Sequence, residues 1–407
     1  MAVTIAKRPP EAVKELEAMQ QQERAGAGEP ALSTEDFERL LREEIEQELI
    51  SNRLKKGGLQ AAIKGAMSDQ ALVEEKYRAR LNAWRFDDPS QWSRYEALGS
   101  RSQIAEICAR IESVFATHNW RLKEVPVVGT LTTGQVTART QRSLGGNPIV
   151  LIDNGFFRFS GIMSQLAVFS SYDAKFRGGL TEATLQLVSD LVATQIVLNT
   201  CLYAYLRSTP PDFQTNVVQL QDAISLFVIS HEYAHIAAGD LDAHPLTHEP
   251  QDRTLRVKEF EADKVGFTTV VEAAQDARAG VFAPFLFFAG LDLLDRALAA
   301  YKSQPAQPES NSPADYPTPY ERTRSLLTWL ETTSDAARFG EQIRAASACY
   351  NIVLSAWDQI LLPFSAAREQ LSQFDPALHG PSRYPEADVF GVVTILWQYV
   401  LAHLRQA

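Results

Sequence analysis

The stretch Phe227–Gly239, FVISHEYAHIAAG, places two histidines and a glutamate inside an apolar run. This composition predicts a buried helix that ends at Gly239, because glycine is favoured at helix C-termini. His231 and His235 are four residues apart, so on a helix both rings project from one face and can reach a single metal ion. Glu232 lies beside them, where its carboxylate can take a proton from a water at the metal. The pattern predicts the floor of a zinc hydrolase site.

Length and composition restrict the classes of protein to consider. A chain of 407 residues can form one large domain or a few smaller ones of roughly 100–200 residues. Its net charge of -11 and its pI near 5.3 argue against nucleic acid as a partner. The three cysteines, Cys108, Cys201 and Cys349, are far apart and form no Cys-x-x-Cys pattern, which is typical of reduced thiols in the cytoplasm.

We expect neither a secretion signal nor a membrane span. The N-terminus is basic at positions 7 and 8 but continues into two prolines and a charged helix, with no apolar segment. The most apolar windows carry polar residues or are too short to cross a bilayer; they are Leu187–Leu206, Phe282–Leu294 and Val389–Leu404. The sequence therefore predicts a cytoplasmic protein.

A second helix, Leu255–Ala277, supplies two more candidate residues. Glu259 and Asp263 are one turn apart within LRVKEFEADKVGF. If this helix lies against the first, Glu259 can be the third zinc ligand, and Asp263 can accept the ring N–H of a ligating histidine. In isolation an acidic, solvated helix face would be the better interpretation. We favour a ligand role because a His-Glu-x-x-His helix supplies two protein ligands and needs a third.

Two further histidines, His244 and His248, follow the first helix in a polar loop. Their proximity allows a second metal site, but Pro245 breaks the helical spacing, so exposed loop histidines are the favoured interpretation. A peptidase also needs a donor that stabilises the oxyanion of the transition state. Tyr316, Arg322 and His244 are the candidates, and the sequence leaves the choice open.

The remaining chain predicts a mainly helical protein with a small sheet. An N-terminal helical region spans residues 1–118, the catalytic domain 119–335 with a Pro-rich linker at 302–319, and a C-terminal region of two or three helices 336–407. Helices are predicted at Glu11–Glu23, Thr34–Leu54, Ala66–Arg85, Arg101–Asn119, Phe159–Tyr172, Thr181–Leu206, Asn216–Gly239 and Gly280–Tyr301. The apolar stripe on Thr34–Leu54 is expected to dock on this protein or on a partner.

The sheet is predicted from Val125–Thr140 and Pro148–Asp153, where β-branched residues are frequent. A free sheet edge beside the metal could hold an extended peptide by main-chain hydrogen bonds. An ordinary hairpin that caps the core is an equal alternative.

The spacing after His235 identifies a subclass of zinc peptidase. A metzincin would need glycine and histidine at the positions of Ala238 and Leu241, so the separate Glu259-x-x-x-Asp263 element points to a gluzincin. With these residues the chain resembles the HtpX and CAAX-prenyl-protease-like family, particularly its soluble bacterial branch, and more loosely the Lit-type phage-exclusion peptidases. The resemblance spans roughly residues 120–335 and rests on four elements in order, PIVLIDNGFF, HEYAH, EFEAD and YPTPYER.

The resemblance implies a helical zincin fold and one zinc ion per chain, bound by His231, His235 and Glu259. It implies that Glu232 is the general base and that Asp263 hydrogen-bonds a ligand. Tyr316 stands where the family often has histidine, and the family's membrane helices have no counterpart here.

We therefore expect a zinc metalloendopeptidase that acts on protein or peptide substrates. One alternative is a latent peptidase whose linker or N-terminal helices close the cleft until a partner or signal releases it. The N-terminal amphipathic helices are also a possible contact surface for a partner. The other is a zinc-binding interaction protein without catalytic activity.

Overall fold

A computed structural model describes residues 8–26, 42, 45, 70–86, 98–131, 133–176, 182–202, 204, 206, 209, 211–242, 251–302, 316–333, 335–374 and 386–405. Within these residues the protein is mainly helical with one small sheet, which confirms the predicted fold class. The predicted helix Thr34–Leu54 lies outside the described residues except for positions 42 and 45.

The helices, numbered in chain order over the described residues, are α1 (Pro10–Gly26), α2 (Gln70–Phe86), α3 (Leu98–Thr117), α4 (Asn154–Phe176), α5 (Glu182–Val192), α6 (Pro211–Ala238), α7 (Gln251–Ala273), α8 (Ala277–Tyr301), α9 (Pro319–Glu331), α10 (Asp335–Leu371) and α11 (Glu386–Leu404). A short π-helix, Ala193–Val197, follows α5, and 3-10 turns occupy Asp240–Asp242 and Ser372–Phe374.

Three strands form the sheet in the order β1 (Val127–Leu131), β3 (Pro148–Asp153) and β2 (Ala138–Arg142). The central strand β3 is parallel to β1 and antiparallel to β2. Its six residues are all buried, as expected for a continuous apolar run. The alternative of a simple hairpin within Val125–Thr140 is wrong, because its two strands pair with β3 and not with each other.

Helix α1 lies along the outer edge of the sheet at β1. Arg8 donates to the carbonyl of Val128 at 3.5 Å, and Gln20 donates to that of Thr130 at 2.6 Å. These contacts cover one edge of the sheet and leave β2 as the opposite edge strand, which faces α6.

One continuous apolar core joins the three predicted regions. Ile104 of α3, Phe227 of α6, Trp357 of α10 and Val400 of α11 all belong to it. The division into three domains stays a prediction. All three cysteines are buried, and none of them forms a disulfide within the described residues.

The predicted helix Thr181–Leu206 is wrong in its second half. The α-helix ends at Val192 and passes into the π-helix, after which Asn199 adopts a left-handed φ of 54°. The Thr194 hydroxyl donates to the carbonyl of Asp190 at 2.8 Å, and the Thr200 amide donates to the carbonyl of Thr194. These polar bonds compete with the regular helical pattern, which apolar periodicity could not show.

Other boundaries also differ from the predictions. Helix α4 begins at Asn154, directly after β3 and five residues before the predicted start at Phe159. Helix α6 begins at Pro211, five residues before the predicted start, because proline is well suited to the first helical position.

Helix α8 is long and apolar enough to cross a membrane, the one such helix among the described residues. The helix extends beyond the apolar run Phe282–Leu294 at both ends. The prediction that this segment is too short to cross a membrane is therefore wrong. Its most apolar window is 72% buried inside the structure.

Candidate metal centre

Two helices that pack closely together supply the candidate metal ligands. Helix α6 carries His231 and His235, and α7 carries Glu259. The helices approach at Gly266, where an added Cβ would lie 3.1 Å from the Phe227 ring and 3.2 Å from the Phe227 carbonyl oxygen. Gly266 is two turns from Glu259 on the same face of α7, so this close approach brings the Glu259 carboxylate to the histidines.

The candidate donor atoms form a triangle. His231 Nε2 lies 3.1 Å from His235 Nε2 and 3.3 Å from Glu259 Oε2, and His235 Nε2 lies 3.4 Å from Glu259 Oε1. All candidate ligand atoms lie within 4.8 Å of one another. Tetrahedral zinc with bonds of about 2.0–2.1 Å separates its ligand atoms by about 3.3 Å. These described residues could therefore hold a metal ion, and their spacing is compatible with zinc.

Each histidine ring is oriented by a carboxylate at its other nitrogen. Asp263 Oδ1 lies 3.0 Å from His231 Nδ1, as the sequence predicts for a residue that fixes the tautomer. Asp240 Oδ2 lies 2.8 Å from His235 Nδ1, and Lys258 contacts the second Asp240 oxygen at 3.1 Å. Both rings thus present Nε2 toward Glu259.

Sequence reasoning missed Asp240. The sequence feature that could have identified it is its position directly after Gly239. Gly239 adopts a left-handed φ of 75° and turns the chain back toward the last turn of α6. An acidic residue immediately after such a turn can reach a histidine near the helix end.

Arg322 is buried beneath the site, with 5% of its surface exposed. It lies in the first turn of α9, which a capping box between Thr318 and Glu321 begins. The guanidinium donates two hydrogen bonds to Asp263, from Nε at 2.9 Å and from Nη2 at 2.5 Å. Its Nη1 lies 3.4 Å from Glu259 Oε2. One buried cation therefore lies against both buried carboxylates, Asp263 and Glu259.

Tyr316 is the more accessible of the two described oxyanion candidates, with 38% of its surface exposed. Its hydroxyl donates to Glu259 Oε2 at 2.8 Å and accepts from Arg322 Nη1 at 3.3 Å. The third candidate, His244, lies outside the described residues.

Glu232 is buried beside the ligands and faces the sheet. The Thr140 hydroxyl donates to Glu232 Oε2 at 2.5 Å and lies 3.3 Å from the Glu232 carbonyl oxygen. The sequence placed Glu232 at the rim of the site but did not single out Thr140, because the contact joins residues 92 positions apart.

The carboxylates change the proton affinities of the two histidines. Burial by itself would lower the pKa of His235, but hydrogen bonds to Asp240 and Glu259 outweigh it and raise the pKa to about 10. The pKa of His231 is also raised, since Asp263 and Glu259 offset burial and the nearby Arg322 charge. Burial would raise the pKa of Glu259, but the two imidazoles hold it well below its usual range.

The charges of these described residues favour a divalent cation. Four carboxylates, those of Glu232, Asp240, Glu259 and Asp263, face two cationic side chains, those of Lys258 and Arg322. With both imidazoles neutral, the group carries two excess negative charges. A zinc ion would neutralise them.

Two cavities open on either side of the metal centre. The first, of about 170 Å³, lies between α6, α8 and the chain that leads into β2. The second, of about 270 Å³, lies between β2, the end of α6 and α7. Both cavities are lined by His231, Glu232, Tyr316 and Ala138. The candidate metal site and the start of β2 therefore lie between the two cavities.

A comparison of the chain with protein-family models, curated proteins and solved structures found no match. The resemblance to HtpX-like gluzincins therefore stays a prediction from the sequence.

Proposed function

We propose that this protein is a zinc-dependent metalloendopeptidase of the gluzincin type. The observation that carries the proposal is the triangle of His231, His235 and Glu259 donor atoms with the Glu232 carboxylate beside it. A purely structural zinc site does not need a general base next to its ligands. The site also lies at an edge strand, where a peptide can pair.

In the proposed mechanism His231, His235 and Glu259 hold the ion, and Asp263 and Asp240 keep both Nε2 atoms directed at it. Zinc would supply a Lewis acid that polarises the scissile carbonyl and lowers the pKa of a bound water. The buried Arg322 maintains this arrangement through Asp263, so we assign it a positioning role.

Glu232 takes a proton from the water that attacks the peptide carbonyl carbon and passes it to the nitrogen of the leaving amine as the C–N bond breaks. The hydrogen bond from Thr140 orients the carboxylate for this transfer. Tyr316 is the better candidate for the oxyanion donor, since it is the more exposed of the two and lines both cavities. Its hydroxyl would have to turn from Glu259 to the oxyanion, whereas the guanidinium of Arg322 is buried and bonded to Asp263.

Strand β2 is proposed to hold the substrate. It is an edge strand of the sheet, the Thr140 side chain contacts α6, and Ala138 and Arg139 border the cavities. An extended peptide can add to such an edge by main-chain hydrogen bonds, independently of its sequence. The substrate class is therefore an unfolded or extended polypeptide.

The experiment compares the zinc-loaded wild type with Glu232→Gln and with Glu261→Gln, a control whose exposed carboxylate on α7 bonds Lys264. With a denatured protein mixture as substrate, we expect cleavage by the wild type and by Glu261→Gln. Glu232→Gln should bind zinc but lose cleavage by at least about 100-fold.

Equal cleavage by Glu232→Gln and wild type would contradict the mechanism. If the wild type and both variants bind zinc but none of them cleaves the substrate, the protein is not a constitutively active peptidase. That result would favour either a latent peptidase or a zinc-binding interaction protein.

A further inference from the structure

The apolar helix α8 carries one buried acid, Asp292. A buried carboxylate loses its hydration and needs bonds that replace the water. The hydroxyl of Tyr350, on the C-terminal helix α10, donates to Asp292 Oδ2 at 2.8 Å. Arg296 donates to both Asp292 oxygens at 3.2 Å but is itself half-exposed. The buried bond that stabilises Asp292 therefore comes from α10.

Tyr350 also reaches α9. It is buried, and burial together with the Asp292 carboxylate holds the pKa of its phenol above the usual range, so the hydroxyl keeps its proton and remains a donor. The buried Thr323 hydroxyl lies within hydrogen-bonding reach of the Tyr350 oxygen and donates to the Pro319 carbonyl at 2.9 Å. Tyr350 thus lies where α8, α9 and α10 meet.

The same face of α8 also contacts Arg322. Phe288 is one turn before Asp292, and the Arg322 guanidinium lies 4.7 Å from the centroid of its ring. Arg322 directly precedes Thr323 on α9. Two positions on one face of α8 therefore contact α9, Phe288 directly and Asp292 through Tyr350. Such a closed buried network fixes one relative position of the three helices.

Arg322 connects this network to a candidate metal ligand. Its Nε donates to Asp263 at 2.9 Å, and Asp263 Oδ1 lies 3.0 Å from His231 Nδ1. On its other side α9 is joined to α7 by the ion pair of Arg256 with Glu321, both partly exposed. Exposed ion pairs contribute little to stability, so the buried contacts with α8 and α10 should determine where α9 lies.

We propose that Tyr350 is a positioning residue of the metal centre, which acts on it through α9. Its hydroxyl holds the first turns of α9 against α8, so that the Arg322 guanidinium stays bonded to Asp263. Asp263 in turn keeps the His231 ring directed at the ion. This inference rests on the zinc site of the proposed function. It gives the C-terminal region 336–407 a role that the HtpX-like resemblance, which ends near residue 335, does not imply.

A single hydroxyl can be removed to test the proposal. For Tyr350→Phe we expect zinc binding to weaken by about three- to tenfold in chelator competition, the effect of one buried hydrogen bond. Tyr399→Phe is the matched control, because the Tyr399 hydroxyl bonds Gln370 between α10 and α11. It should leave zinc affinity unchanged.

A double-mutant comparison separates positioning from general stability. In Asp263→Asn the route from α9 to His231 is weakened, so adding Tyr350→Phe should change zinc affinity by less than about twofold. In Asp240→Asn the full effect of Tyr350→Phe should remain, because Asp240 is held by Lys258 and not by α9. A loss of general stability would weaken zinc binding equally in both backgrounds.

Thr323 provides a second pair of variants that does not depend on the folding of Tyr350→Phe. Thr323→Val keeps the shape of the side chain and removes its hydroxyl, so zinc binding should weaken. Thr323→Ser keeps the hydroxyl and should bind zinc as the wild type does. Equal zinc affinity of these two variants would contradict the proposed route through α9.

The outcomes distinguish this inference from the proposed function. No effect of Tyr350→Phe on zinc affinity, or an equal effect in the Asp263→Asn and Asp240→Asn backgrounds, would overturn the positioning role and leave the peptidase intact. The expected pattern of zinc affinities without cleavage by the wild type would support the positioning role and contradict the peptidase. If the wild type binds no zinc, the metal site is wrong, and this inference falls with it.

Discussion

At the residue scale, the proposed function depends on how carboxylates orient the two histidines. A ligating imidazole needs its other nitrogen held by an acceptor, and Asp263 and Asp240 occupy these places at 3.0 and 2.8 Å. Asp263 is itself held by Arg322, and Asp240 by Lys258. These two carboxylates therefore orient the candidate ligands.

Removal of these acceptors should weaken zinc binding. For Asp240→Asn and Asp263→Asn we expect a 10–100-fold loss of zinc affinity, which is typical for partners of metal-ligating histidines. Competition with a fluorescent chelator measures it. Asp212→Asn, an exposed site in the first turn of α6, is the matched control. Unchanged affinity in both variants would show that these carboxylates do not orient the ligands.

Zinc binding should also release protons. The pKa of His235 is raised to about 10, so its ring is protonated at pH 7 without metal; the pKa of His231 is raised as well, and both rings must be neutral to bind the ion. Zinc affinity should therefore fall as the pH is lowered from about 10. Calorimetry at pH 7 in buffers of different ionisation enthalpy should find release of at least about one proton per ion; no release would contradict the assignment of His235 as a ligand.

At the element scale, the close packing of α6 and α7 decides whether three donors can meet. Gly266→Ala would place a Cβ 3.1 Å from the Phe227 ring and 3.2 Å from its backbone oxygen. We expect a loss of about 1–3 kcal/mol in unfolding free energy, together with weaker zinc binding, because the helices must move apart. Chemical denaturation and chelator competition measure the two effects.

Gly340→Ala is the control for this prediction. Its nearest contact would be the flexible end of Arg344 at 3.6 Å, so the substitution should be neutral or stabilise α10 by up to about 1 kcal/mol. If Gly266→Ala behaved like Gly340→Ala in both measurements, close helix packing would not be what assembles the site.

The sequence predicted a helix or strand correctly where the residues of that one element carry the whole pattern. The apolar run around His231 predicted α6, and the continuous apolar run of β3 predicted a strand. The end of α5 was missed because hydrogen bonds of Thr194 and Thr200, and not apolar periodicity, determine it. The contact of Thr140 with Glu232 and the order of the strands depend on long-range packing, for which a single sequence carries no local pattern.

At the scale of the whole molecule, the metal centre joins elements that are distant in sequence. Helix α6, helix α7 and the start of α9 meet at Arg322 and Glu259, and the sheet joins them through Thr140. A zinc ion that binds only the folded arrangement should therefore stabilise the protein against unfolding.

Thermal unfolding with and without a chelator tests this coupling. Zinc at about 100 times its dissociation constant should add about 2.7 kcal/mol to the unfolding free energy. His231→Ala should show no zinc-dependent shift, whereas His118→Ala, at a surface pair with Glu272, should keep it. An equal shift in both variants would place the stabilising ion elsewhere.

The most direct test of the proposed zinc site is a crystal structure of the zinc-loaded protein with anomalous diffraction measured at the zinc absorption edge. We predict one strong peak per chain, about 2.0–2.2 Å from His231 Nε2, His235 Nε2 and an oxygen of Glu259, and its disappearance in His231→Ala. A peak bound by other residues, or no peak in zinc-saturated crystals, would contradict it.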